Sequence, residues 1–231
     1  MKSIKFFAID IDGTLTLNGN GALNLDALAK LRYLVKLGYK VIYVTGRSSL
    51  EAYALSVFGG TTHIAIGENG GVITTSPVEH KLLANKENCL MGFNILTKRI
   101  KGVNQKPVFP RLTEIVLERT FDIDEGNRIF IENDLDLTLV DSNYAFHINE
   151  YKINKGFGLA FLLRKLNIDS DEAVAIGDSE TDIPMFKQSR FSVTFESSAQ
   201  NVRNSATHLV GGTNGEGLIN AIDLIIRGKA F

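Results

Sequence analysis

Apolar and polar positions fall in alternating blocks over the first seventy residues. The run from Ile4 to Ile9 is apolar except at Lys5, and it ends in Asp10-Ile11-Asp12-Gly13-Thr14. Short β-branched and aromatic runs closed by a glycine turn read as buried strands. A Gly/Asn-rich loop, Asn18-Gly19-Asn20-Gly21, follows. Asn24 is placed to cap a helix that buries Leu25, Leu28, Leu31, Leu34 and Val35, with Gly38 closing it. Lys40 to Val44 reads as a second strand, ending in Thr45-Gly46-Arg47. Ser48 and Glu51 have capping-box spacing, so a helix is expected from there to Phe58, stopped by Gly59-Gly60. His63 to Ile66 reads as a third strand, followed by Gly67-Glu68-Asn69-Gly70-Gly71.

Strands alternating with helices predict an α/β fold, a Rossmann-like doubly wound parallel sheet. The alternation breaks after Thr75. From about Leu82 the expected order is a helix (Asn85 to Ile100), a strand (Glu114 to Arg119) and a helix (Asp124 to Asn133). Two short strands follow, Leu137 to Val140 and Ala145 to Ile148, joined by Asp141-Ser142-Asn143. This is the pattern of an inserted α+β unit. It divides the chain into a discontinuous core, residues 1–81 and 154–231, and an inserted cap, residues 82–153. The first pattern resumes with a helix opened by Lys155-Gly156. A strand from Glu172 to Ile176 then ends in Gly177-Asp178-Ser179-Glu180-Thr181-Asp182. A strand (Phe191 to Phe195), a helix (Ala199 to Ser205), a strand (His208 to Val210) and a helix (Gly217 to Ile226) complete the chain.

Composition narrows the function. Of 231 residues, 44% are hydrophobic and 22% charged, which is globular composition without a disorder signature. A net charge of −1 supplies no field for nucleic acid or an anionic membrane. Aromatic residues follow the core periodicity and do not interleave with a basic patch, which disfavours single-stranded nucleic acid. Cys89 is the single cysteine, so there is no internal disulfide framework, and a packing role is expected for it. No apolar run reaches the length of a membrane span, and Asp10 interrupts the first run too early for a signal peptide. The expectation is a cytoplasmic protein. His63, His80 and His208 are scattered and show no metal-ligand spacing.

Four polar clusters follow core strands or open a core helix: Asp10/Asp12, Thr45, Lys155 and Asp178/Asp182. In an open parallel sheet ligands bind at the carboxyl ends of the strands, where all four would meet. On extended backbone Asp10 and Asp12 would stand side by side. Asp and Gly also favour plain turns, and this reading competes for each cluster alone. Phosphoryl transfer accounts for the whole set. A carboxylate nucleophile, Asp10, would form an aspartyl-phosphate. Asp12 would act as general acid and base. Lys155, Thr45 and nearby main-chain N–H groups would hold the phosphoryl oxygens. Mg²⁺ would offset the repulsion, with Asp178 and Asp182 completing its site.

The motifs Asp-Ile-Asp-Gly-Thr, Val-Thr-Gly-Arg, Asn-Lys-Gly and Gly-Asp-Ser-x-x-Asp, in this order, resemble those of the haloacid dehalogenase superfamily of phosphatases. Glu-Asn-Gly-Gly and the position of the insertion resemble the subgroup whose cap enters after the third core strand. Size and the compact cap resemble archaeal phosphoglycolate phosphatases. The resemblance implies that Asp10 is nucleophile and Mg²⁺ ligand, and that Asp12 is acid/base with its carbonyl on the metal. It implies that Thr45 and Gly46 bind phosphate together with Lys155. Asp178 is then a metal ligand, and Asp182 one either directly or through water. Where many relatives carry Asn before the last Asp, this chain has Thr181.

The implied substrate is a small phosphorylated metabolite, 2-phosphoglycolate first, with sugar phosphates or nucleotides as alternatives. A non-catalytic phospho-accepting or metal-binding scaffold is the reading from another class. Arg47 reads either as a substrate contact or as the partner of a neighbouring acid. His147 reads either as a reader of a substrate carboxylate or as a half-buried strand histidine, and Arg111 and Arg119 are candidates for the same task. Gly70-Gly71 reads as a cap hinge or a tight turn. Cap-on-cap pairing into a homodimer stays open, with no residue pattern that demands it.

Overall fold

The computed structural model describes residues 3–17 and 21–228. The loop read at Asn18, Gly19 and Asn20 lies outside the described residues. In chain order the elements are β1 (Phe6–Ile9), α1 (Leu25–Lys36), β2 (Lys40–Val44), α2 (Ser49–Gly59), β3 (Ala65–Gly67), β4 (Val72–Ser76) and β5 (Glu79–Leu82). Next come α3 (Lys86–Arg99), β6 (Ile115–Leu117), α4 (Ile123–Glu132), β7 (Leu137–Asp141) and β8 (Phe146–Glu150). The last stretch is α5 (Lys155–Lys165), β9 (Ala173–Ile176), α6 (Ile183–Phe186), β10 (Phe191–Phe195), α7 (Gln200–Ser205), β11 (His208–Val210) and α8 (Asn214–Ile226).

An eight-stranded sheet in the order β11-β10-β9-β1-β2-β3-β4-β5 forms the centre. Strands β11 through β3 run parallel, β4 runs antiparallel to β3, and β5 runs antiparallel to β4. β1 is fully buried because both faces of the sheet are covered. Phe7 and Ile9 pack on one side with Leu31, Leu34, Leu218 and Ile222. Phe6 and Ala8 pack on the other with Leu159, Leu162 and Met185. β1 pairs with β2 on one side and β9 on the other, so the chain order reverses direction there. Such a switch point opens a crevice at the strand ends.

The β4–β5 hairpin has no counterpart in the sequence reading. β5 is Glu-His-Lys-Leu, an edge strand with no buried residue, so no alternation of polar and apolar positions marks it. Helix boundaries follow their caps. Asn24 accepts from the Ala27 N–H at 3.0 Å, and Ser48 and Glu51 form the expected capping box.

β6, β7 and β8 form a separate antiparallel sheet in the order β6-β8-β7. One face packs on α3 and α4 through Cys89, Leu96, Ile115, Phe130, Leu139 and Ile148. Cys89 is buried there, and burial pushes its thiol up to about 12, as befits a packing residue. The alternate positions Glu114, Val116, His147 and Asn149 are also buried, although they face away from α3 and α4.

Candidate active site

Asp10 lies one residue beyond β1, its N–H still held by the Ile176 carbonyl at 3.0 Å. Its carboxylate is 3% exposed and accepts from the Lys155 ammonium at 2.7 Å. Lys155 is the first residue of α5, after the N-cap Asn154. The same ammonium donates to Asp182 Oδ1 at 2.6 Å. Asp182 Oδ2 accepts from the Asp178 N–H at 3.0 Å, the Ser179 N–H at 2.9 Å and Ser179 Oγ at 3.0 Å. Asp178 Oδ1 accepts from Thr14 Oγ1 at 2.8 Å. Gly13 must be glycine here, because its φ is +82° and a Cβ would collide with the Asp178 carboxylate.

One oxygen from each of Asp10, Asp178 and Asp182 falls within 4.8 Å of the others. Three carboxylates thus face one ammonium. Burial, and then the charge of Asp182, raise the Asp10 carboxyl well above the usual range, although Lys155 pulls it down. Burial and Asp182 likewise push Asp178 up to about 7. Burial lowers the Lys155 ammonium, but Asp10 and Asp182 outweigh it and leave it raised. The cluster lacks positive charge, and its donors are all hard oxygens. It fits a divalent cation that prefers oxygen ligands.

Asp12 takes a different partner from Asp10. Arg47 Nε and Nη2 grip its two carboxylate oxygens at 2.7 Å each, and Arg47 Nη1 reaches Glu51 at 3.2 Å. The side-by-side arrangement expected of Asp10 and Asp12 assumed extended backbone. β1 ends at Ile9 and the chain turns from Asp12 onward, so the alternation does not carry through. Arg47 is therefore the partner of neighbouring acids. Asp12 contributes no carboxylate to the three-acid cluster.

Thr45 is buried after β2, with its N–H on the Ile66 carbonyl at 3.0 Å. Its Oγ1 accepts from the Arg47 N–H at 3.0 Å, which leaves the hydroxyl proton to donate. Gly46 adjoins Asn69, whose Oδ1 lies 3.0 Å from where a Cβ would stand. A cavity of about 550 Å³ runs from Gly13 and Asp178 to Asp141, Ser142 and Asn143 of the β7–β8 turn. It sets the inserted unit opposite the acids.

The sequence reading missed the joint between the two sheets. Glu68 Oε2 accepts from the N–H groups of Leu112 at 2.8 Å and Thr113 at 2.7 Å, and from Thr113 Oγ1 at 2.9 Å. Glu114 accepts from Asn69 Nδ2 at 3.3 Å. These partners lie 44 or 45 residues apart in the chain, and nothing in local patterning marks them. Glu68 and Asn69 both adopt positive φ, and Gly70 (φ +99°) packs on the Asn154 carbonyl. The Glu-Asn-Gly-Gly stretch is therefore a tight turn. His147 is fully buried, its Nδ1 3.0 Å from Glu114 and its Nε2 3.1 Å from Ser142 Oγ. Arg119 is surface-exposed and paired with Asp141 at 2.7 Å.

A buried acidic cluster at the strand ends of a doubly wound sheet, facing an inserted α+β unit, defines a hydrolase of the phosphoryl-transfer type. A profile of the haloacid dehalogenase-like hydrolases matches residues 7–105 and 114–222. The chain belongs to that family. It is 49% identical over 217 residues to a phosphoglycolate phosphatase of Nitrosopumilus maritimus, covering 94% of each chain. It is 34% identical over 222 residues to one of Methanosarcina mazei, covering 96% of each. Its fold matches the crystal structure of Thermoplasma acidophilum 0175 with a TM-score of 0.86 at 22% identity, covering 100% of each chain. It also matches a Synechocystis sucrose-phosphatase solved with sucrose and phosphate, with a TM-score of 0.74 at 17% identity over 96% of this chain and 97% of that one.

Proposed function

We propose that the protein is a Mg²⁺-dependent phosphomonoester hydrolase whose substrate is 2-phosphoglycolate, releasing glycolate and phosphate. The observation that carries the chemistry is the cluster of Asp10, Asp178 and Asp182 around the single ammonium of Lys155. The relatives named above support the substrate.

Asp10 attacks phosphorus, and the P–O bond to the leaving group breaks as the aspartyl-phosphate forms. Asp12 protonates the departing alkoxide and then takes a proton from the water that attacks the aspartyl-phosphate. The second attack frees phosphate and restores the Asp10 carboxylate. Arg47 holds both Asp12 oxygens at rest, and one of them must be freed for Asp12 to carry these protons. Thr45 Oγ1, the Gly46 N–H and Lys155 hold the phosphoryl oxygens. Asp10, Asp178 and the Asp12 carbonyl would hold Mg²⁺, which would supply positive charge where two anions must meet. Asp182 has both oxygens occupied. It holds Lys155 and the Asp178 loop, and would join the metal site either directly or through water. Residues 82–153 act as a cap over residues 1–81 and 154–231, excluding water and selecting the substrate.

No helix among the described residues is long and apolar enough to cross a membrane, and we place the enzyme in the cytoplasm. The test is phosphate release from a panel of monoesters with Mg²⁺ and again with chelator. Chelator-sensitive release that favours 2-phosphoglycolate is the expected result. Release favouring sugar phosphates or nucleotides would keep the mechanism and overturn the substrate. No release from a folded, metal-binding protein would leave the scaffold reading.

A further inference from the structure

We infer that Arg111 is the specificity residue of this site and binds a carboxylate on the substrate two carbons from the phosphate oxygen. The inference rests on the phosphatase reading and deepens it. Arg111 belongs to the inserted unit, yet its Nη1 donates to the carbonyl of Gly46, 2.8 Å away in the core. Gly46 follows Thr45, so the guanidinium is anchored to the main chain of the residue next to the one that holds phosphate.

The guanidinium is held on one edge only. Nη1 also meets Glu114 Oε1 at 3.2 Å. Nε is buried and has no hydrogen-bond partner, and no bond to Nη2 is found among the described residues. These two nitrogens form the fork that binds a carboxylate with two parallel bonds. Buried donors are nearly always paired in a native structure, and an unpaired one marks a place for a missing acceptor. The side chain is 8% exposed, so the fork is not merely turned to bulk water.

The surroundings hold the fork in place. Glu114 is fully buried and receives Arg111, His147 and Asn69 together. His147 and Asn69 meet its Oε2, while its Oε1 makes no hydrogen bond and faces Arg111 as an ion pair at 3.2 Å. Glu68 fixes the backbone on the other side of Arg111 through Leu112 and Thr113. Asn149 lies on the same sheet face as His147, two residues along β8, and its Nδ2 is also buried without a partner.

The other candidate readers are already engaged. Arg119 is committed to Asp141 and to the Asn143 carbonyl, and both nitrogens of His147 are used.

The test compares two esters in wild type and in Arg111→Gln: 2-phosphoglycolate, which has a carboxylate, and para-nitrophenyl phosphate, which has none. The ratio of their kcat/KM values should fall about 10- to 100-fold in the variant, mainly through KM for 2-phosphoglycolate. Arg111→Lys, which keeps the charge and loses the fork, should give an intermediate ratio. A ratio within about threefold of wild type in Arg111→Gln would overturn the proposal, however far both values drop. Should neither variant fold, the wild type still decides. Glycolate should compete with para-nitrophenyl phosphate at concentrations where ethylene glycol does nothing, and equal inhibition by the two would overturn the proposal. A wild type that releases no phosphate from either ester would strike the phosphatase reading itself, a different result from release with an unchanged ratio.

Discussion

Asp10 and Lys155 show how one contact serves both stability and chemistry. The carboxylate is buried beside two others, and among the described residues the Lys155 ammonium is the cation that offsets their repulsion. Replacing Asp10 by Asn keeps the shape and removes the proposed nucleophile. Turnover should fall about 10⁴-fold or more while the circular dichroism spectrum is retained. Appreciable activity in that variant would remove Asp10 from the nucleophile role. Lys155→Met acts on two quantities. Asp10 and Asp182 lose their shared cation, and breaking a buried pair from one side costs about 3–5 kcal/mol, measurable by urea unfolding in chelator. Without the ammonium, phosphate binding and turnover should both weaken, by about 10²-fold in kcat/KM. Unchanged kinetics would show that Lys155 does not touch the substrate.

The elements differ in how plainly the chain announces them. β1, β2, β9 and β10 are almost wholly buried, so each stands out as an apolar run. Asp10, Thr45, Lys155 and Asp178 follow those strands or open a core helix, and their meeting at one edge was legible for that reason. β5 escaped notice because an edge strand needs no apolar face. Glu68 and Glu114 escaped because their partners come from another sheet, and no period in the sequence connects Glu68 with Thr113, while Arg111 was legible only as one of three candidate readers of a carboxylate. The divergence of Asp10 and Asp12 also lay beyond a strand-based argument, since it arises in the turn. The start of α5 can be tested as an element. Asn154 Oδ1 accepts from the Phe157 N–H at 3.0 Å, capping the helix whose first residue is Lys155. Asn154→Ala should cost about 1 kcal/mol in urea unfolding. Because Lys155 is the adjacent residue, kcat should drop as well. A full loss of stability with unaltered kcat would mean that the cap does not place the lysine.

Across the whole molecule the catalytic sheet and the inserted sheet are joined by buried polar groups, and a cation bound at the three aspartates would stabilise the same assembly. A cation that binds only the folded site at about 100 times its Kd adds about 2.7 kcal/mol. For a chain of this size that raises Tm by about 5–10 °C. Asp178→Asn should reduce the rise, and an undiminished rise would place the metal elsewhere.

The joint itself hangs on Glu68, whose carboxyl is raised by burial and by Glu114 although the Thr113 N–H pulls it down. Its carboxylate is nonetheless the acceptor for Leu112, Thr113 and the Thr113 hydroxyl. Glu68→Ala leaves those buried donors without an acceptor, at a cost of about 2–4 kcal/mol after relief of the strained charge. The loss should be local before it is global. Amide exchange at Leu112 and Thr113 should accelerate more than exchange in β1, which both sheet faces protect. Because residues 111–114 carry Arg111 to the Gly46 carbonyl, the same variant should lose preference for a carboxylate-bearing ester. Uniform acceleration of exchange throughout the chain would mean that Glu68 supports the fold as a whole and does not join its two sheets.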